Sequence, residues 1–152
     1  MKYYGTYACG HEGAVQIYGP TKERERKKSY IFSHLCPECE KLEIQKKRDE
    51  VNKKSMAVAA ELGLPALTGS EKQIAWATTI RNEQMERVNS LVKEHEGFRV
   101  KISDEILITI EEWKKAFDTI VETETSSKFW IENRGEYQIN KRIKEKCKEL
   151  YF

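Results

Sequence analysis

Cys36-Pro37-Glu38-Cys39 stands at the head of a run of strong helix formers, Glu40-Lys41-Leu42-Glu43-Ile44-Gln45-Lys46-Lys47. A second close pair, Cys9-Gly10-His11, precedes it with 24 residues between. Three thiols and an imidazole in two tight pairs form the tetrahedral sulfur and nitrogen set that zinc favours. Gly10 and Gly13 permit the positive backbone angles of a tight turn. Pro37 suits the first turn of a helix, whose amides carry partial positive charge and stabilise thiolates. The spacing therefore predicts one zinc ion held by Cys9, His11, Cys36 and Cys39. Four protein ligands leave no position for a reacting water, so the ion is expected to be structural. Two alternatives stay open. His34 can replace His11, although three ligands so close in sequence strain the turn. Cys36 and Cys39 can instead be a redox pair, which calls for a βαβ setting that the surrounding pattern lacks.

Working outward, Tyr3 to Tyr7 and Ala14 to Tyr18 read as short strands, aromatic or β-branched and bounded by glycine. The charge run Thr21 to Lys28 reads as a solvated loop or a single helical turn, and Tyr30 to Phe32 as a third short strand. Residues 36–62 read as a helix that Gly63 and Pro65 end. Further on, Ser70 with Gln73 forms a capping-box signature. Ile74, Ala77, Ile80, Val88, Leu91 and Val92 then recur at helical spacing, with Gly97 closing the segment. Ser103 is placed as the cap of a helix carrying Ile106, Ile110, Trp113, Phe117, Ile120 and Val121. A short helix around Lys128 to Arg134 and a last one with Ile139, Ile143, Cys147 and Leu150 complete the chain. The expected fold class is α+β, predominantly α. A small treble-clef-like zinc head with its following helix occupies residues 1–62, and a helical domain of about four helices occupies 63–152.

Composition narrows the function. The chain has 152 residues, 39% hydrophobic and 34% charged, with a net charge of +2. Residues 1–54 carry 12 Lys and Arg against 8 Asp and Glu; residues 55–152 carry 15 against 17. The head is mildly basic and the body mildly acidic, a weaker bias than a dedicated duplex binder shows. No apolar run reaches the ~20 residues of a membrane helix, and the N-terminus lacks the pattern of a secretory signal. A cytoplasmic location, where thiols stay reduced and clustered cysteines mark metal sites, is the expectation.

The chain has no phosphate-cradling glycine loop, nucleophile elbow or metalloprotease helix, so a non-enzymatic binding role is expected, with no small-molecule substrate. Cys147 reads as a core residue, His95 as a helix-end cation, and Glu111, Glu112, Glu122 and Glu124 as a solvated face. Two partner surfaces are candidates. Trp76 with Arg81, and Trp130 with Arg134, combine residue types enriched at protein interfaces; the competing reading puts both tryptophans in the core. Lys46, Lys47, Arg48, Lys53 and Lys54, with Arg24, Arg26, Lys27, Lys28, Tyr18 and Tyr30, offer charges and stacking rings for DNA or RNA. Against that, Glu23, Glu25, Asp49 and Glu50 interleave with these bases and suggest a merely solvated face.

Two segments carry a family resemblance. Leu67-Thr68-Gly69-Ser70-Glu71-Lys72-Gln73-Ile74-Ala75-Trp76-Ala77, running to Ile80-Arg81, and Ser127-Lys128-Phe129-Trp130-Ile131-Glu132-Asn133-Arg134 resemble paired signatures of uncharacterised proteins of Gram-positive bacteria and their mobile elements. Some members carry a similar Cys-Gly-His head followed by Cys-Pro-x-Cys, so the resemblance spans most of the chain. It implies no catalytic residue. It implies a setting, accessory cargo of plasmids, prophages or integrative elements, which includes DNA-handling proteins and inhibitors of host defence.

Overall fold

A computed structural model describes residues 1–152. The fold is α+β and predominantly α, and the chain divides into two compact units, Met1–Glu50 and Val51–Phe152.

The first unit opens with an antiparallel hairpin of β1 (Lys2–Thr6) and β2 (Glu12–Gln16), with Tyr3 opposite Val15 and Gly5 opposite Gly13. Helix α1 (Thr21–Phe32) follows, and α2 (Pro37–Glu61) begins within the second cysteine pair. The charged segment from Thr21 is thus three turns of helix rather than a loop or a single turn. Lys, Glu and Arg are good helix formers without any apolar stripe, and Glu23 and Lys27 form an i,i+4 ion pair at 3.3 Å. Tyr30 to Phe32 is the last turn of that helix rather than a strand. Phe32 serves packing there: its ring lies 4.9 Å, centroid to centroid, from Tyr7. The hairpin makes room for both rings with glycine. A Cβ on Gly5 meets the Phe32 ring at 2.8 Å, and one on Gly13 meets Tyr7 at 2.6 Å. Gly13 therefore serves close approach, while Gly10 alone of the two glycines by the first pair has positive φ, 82°.

The second unit is built on α3 (Glu71–Glu94), α4 (Ile110–Thr123), α5 (Ser127–Glu132) and α6 (Glu136–Tyr151), with a small hairpin of β3 (Arg99–Lys101) and β4 (Leu107–Thr109). Ser70 and Gln73 close a reciprocal capping box on α3. The expected start of α4 near Ser103 is corrected: Thr109 caps it, accepting from the Glu112 amide at 3.1 Å while the Glu112 carboxylate accepts from the Thr109 amide at 2.8 Å. Ile106 lies upstream in the hairpin. Its i,i+4 spacing to Ile110 mimics a helix, but Ile106, Ile108 and Ile110 also alternate at the strand period, and the cap selects the boundary. Glu112 accordingly helps cap the start of α4 instead of lying on a solvated face.

The core gathers Leu67, Ala77, Ile80 and Val88 with Trp113, Phe117, Ile120, Trp130, Ile139, Ile143 and Cys147. Burying each large side chain contributes ~1.5–3 kcal/mol. A polar stripe on α3 fastens its neighbours: Thr79 donates to Asn52 Oδ1 at 3.1 Å, Asn82 to the Ser55 carbonyl at 2.8 Å, and Gln84 to the Arg134 carbonyl at 2.8 Å. The first two bonds tie the C-terminal half of α2 to α3, and the two compact units divide within α2, between Glu50 and Val51. No helix is long and apolar enough to cross a membrane.

Candidate metal centre

The first ligand pair, Cys9 and His11, sits in the turn between β1 and β2. Tyr7 N–H donates to the His11 carbonyl at 2.9 Å and Gly10 N–H to the Tyr7 carbonyl at 2.8 Å, which fold Cys9 and His11 toward the same side. The second pair lies at the α1–α2 junction, and Ala8 N–H reaches the His34 carbonyl there at 3.0 Å. The two turns are thereby clamped together, and the Sγ atoms of Cys9, Cys36 and Cys39 and a ring nitrogen of His11 all lie within 4.8 Å of one another.

The distances suit a single ion. His11 Nδ1 lies 3.5 Å from Cys36 Sγ and 3.3 Å from Cys39 Sγ. With metal–sulfur and metal–nitrogen bonds of about 2.3 and 2.0 Å, a tetrahedron spaces such donors about 3.5 Å apart. Two backbone amides already serve the sulfurs: Cys36 N–H donates to Cys9 Sγ and Cys39 N–H to Cys36 Sγ, each at 3.4 Å. All four cysteines are free of disulfides. The donor set is therefore complete, close enough to bind one metal ion, and supplied with amide donors for thiolate charge.

The thiols differ as acids. The amide of Cys36, and then that of His11, hold Cys9 down to about 6. Cys39 is pushed up to about 11, first by its side-chain contact with Cys36 and then by desolvation. The His11 imidazole, beside the sulfurs of Cys9 and Cys36, is held above its ordinary value. His34 is outside the cluster. Its Nδ1 sits 2.6 Å from the Tyr30 carbonyl and its ring leans on Tyr30 at 4.4 Å, so the alternative that replaces His11 lacks geometric support.

The aromatic candidates are regrouped. Trp130 is 0% exposed, with its indole N–H donating to the Glu124 carbonyl at 3.2 Å, and Arg81 is 2% exposed, donating to the Pro65 carbonyl at 2.9 Å. Neither is available to a partner, which corrects their placement on one. Burial also lowers the Arg81 pKa. Trp76 stays 48% exposed and pairs with Arg134, whose guanidinium lies 5.8 Å from the ring centroid, rather than with Arg81. The two signature segments thus lie against each other: Thr68 N–H reaches the Thr125 carbonyl at 2.8 Å, and Ser127 N–H reaches the Thr68 carbonyl at 3.0 Å.

Lys46, Lys47, Arg48, Lys53 and Lys54 are exposed along α2. Seven-residue steps put Lys46 with Lys53, and Lys47 with Lys54, on common sides of the helix. Tyr18, Tyr30, Arg26 and Lys27 line a groove of about 640 Å³ in the head. The sequence groups these four residues with the charges on α2; the structure places them together in a groove of their own, lined from two separate segments. Comparison of the chain with protein-family models, with curated proteins and with solved structures found no match.

Proposed function

We propose that this chain is a non-enzymatic, cytoplasmic zinc-binding accessory protein, in which one structural ion folds a treble-clef-like head and the protein acts by binding a macromolecular partner. The observation that carries the reading is the convergence of three cysteine sulfurs and one histidine nitrogen within 4.8 Å. Thiolate-rich tetrahedral sets favour zinc, and four protein donors fill the shell, which supports a structural ion over a catalytic one.

The head's small core supports the same conclusion. Within Met1–Glu50 the buried apolar side chains are Tyr7, Ile17 and Cys36. So little burial does not offset the entropy of ordering about fifty residues, whereas metal binding supplies folding energy directly. Aromatic rings left at the surface, Trp76 among them, support a role in partner binding. The resemblance to proteins of Gram-positive mobile elements supports reading the chain as accessory cargo, with inhibition of a host defence system as the second reading.

The test begins with metal content. The purified protein should contain one zinc per chain by elemental analysis, and Cys39→Ser should lose the ion and the ordered head. A Cys39→Ser protein with full zinc and unchanged melting rejects the site. The partner is sought by recovering tagged protein from a Gram-positive lysate, with and without nuclease. Specific recovery of protein or nucleic acid supports the binding role; clean recovery of the tagged chain alone counts against it.

A further inference from the structure

The groove in the head has Ile17 and Ile31 in its lining, two tyrosines, Tyr18 and Tyr30, and two cations, Arg26 and Lys27. No acidic side chain lines it. Its volume of about 640 Å³ falls in the range of ligand clefts, roughly 300–1,000 Å³. Tyr18 and Tyr30 are 72% and 67% exposed, so the head's core does not account for them. Tyr30 is held on one side by the tilted His34 ring at 4.4 Å. Lys27 pairs with Glu23 at 3.3 Å, which leaves Arg26 as the lining cation without an acidic partner. Helix α1 brings five basic residues, Lys22, Arg24, Arg26, Lys27 and Lys28, against two acidic ones, Glu23 and Glu25.

We propose that this groove binds single-stranded nucleic acid, with Tyr18 and Tyr30 stacking on unpaired bases and Arg26 and Lys27 meeting the phosphates. The proposal names a partner class for the macromolecule-binding role above and rests on that reading. Exposed aromatic rings beside two cations, one of them without an acidic partner, match the two needs of a single strand, a π-face for each base and a positive track for the backbone. A duplex keeps its bases stacked on each other, so the tyrosines favour unpaired strands. The charge complementarity lies at the groove itself, whereas the body is mildly acidic.

The test is fluorescence anisotropy of the full zinc-loaded chain with labelled oligothymidine and oligouridine of about ten nucleotides. Tyr18→Ala and Tyr30→Ala are each expected to weaken binding about ten- to hundredfold, while Tyr18→Phe and Tyr30→Phe retain it because the ring survives. Arg26→Glu should weaken binding and lower the steepness of its salt dependence. Zinc content and melting temperature of every variant are measured to show that the head is intact. Unlabelled duplex should compete poorly.

Absence of binding at low salt overturns the proposal. Binding that ignores the groove variants also overturns it, and moves attention to Lys46 to Lys54. Polyglutamate that binds as well as the oligonucleotide, with the same response to the variants, overturns it in favour of an acidic protein partner. If the oligonucleotides fail while a nuclease-resistant protein is still recovered from lysate, the binding role stands and this inference falls. If both fail, both readings fall.

Discussion

The four cysteines do different chemistry because their surroundings differ. Metal binding requires thiolates, so protons compete with the ion. Cys39, pushed up to about 11, must shed a proton at neutral pH, and His11, held above its ordinary value, adds to the competition. Cys9, lowered to about 6, is already mostly ionised there and competes only as the pH falls through its own pKa. Apparent zinc affinity, followed by competition with a chromophoric chelator, is therefore expected to fall as pH drops from about 8, and to fall more steeply below about 6. Cys147 is 0% exposed and its burial pushes the thiol up to about 11. A thiol reagent should accordingly spare Cys147 after chelation has freed the other three, and should reach it only on denaturation. Early reaction of Cys147 in the chelated protein contradicts its place in the core. Gly5 carries a steric constraint of its own. A methyl group there meets the Phe32 ring at 2.8 Å, so Gly5→Ala should cost about 1–3 kcal/mol of head stability, read by melting of the zinc-loaded form.

Among the elements, the start of α4 is the clearest case of a local signal outweighing periodicity. The reciprocal bonds of Thr109 and Glu112 satisfy two amides that the first helical turn otherwise leaves open. Thr109→Ala removes one of them and should lower stability by about 1 kcal/mol in denaturant unfolding, with the body's fold retained. Thr109→Ser, which keeps the hydroxyl, should stay close to the parent. Helix α1 illustrates the opposite situation, a helix with no apolar stripe to announce it. Its propensity comes from charged residues, and its partly buried apolar residues, Ile31 and Phe32, are confined to the final turn.

On the scale of the whole molecule, the two units draw on different sources of stability. The body's core runs from Leu67 to Cys147 and includes no residue of the head. Trp130→Ala opens a cavity in that core and should cost about 3–5 kcal/mol, a large share of a domain's ~5–15 kcal/mol. Near-ultraviolet circular dichroism should then report a disordered body while zinc content stays at one ion. Chelation should do the reverse, releasing the β1–β2 hairpin and sparing the body's amides in hydrogen exchange. Trp76→Ala, at an exposed ring, should leave stability nearly unchanged.

The sequence by itself determined what rests on chemistry and local spacing. The Cys9, His11, Cys36 and Cys39 set follows from residue types in close pairs, and the capped start of α3 and the apolar faces of α3, α4 and α6 follow from short-range patterns. Tertiary structure decided the rest, because a side chain's role depends on neighbours distant along the chain. Trp76 and Trp130 sit in similar local settings, yet one ring is exposed and the other fully buried. Arg134 meets Trp76 instead of its own neighbour Trp130 only because α3 and α5 pack together. Gly13 is required by the ring of Tyr7 across the hairpin, which no turn rule anticipates. Tyr18 and Tyr30 become one groove only when α1 folds back beside the end of β2.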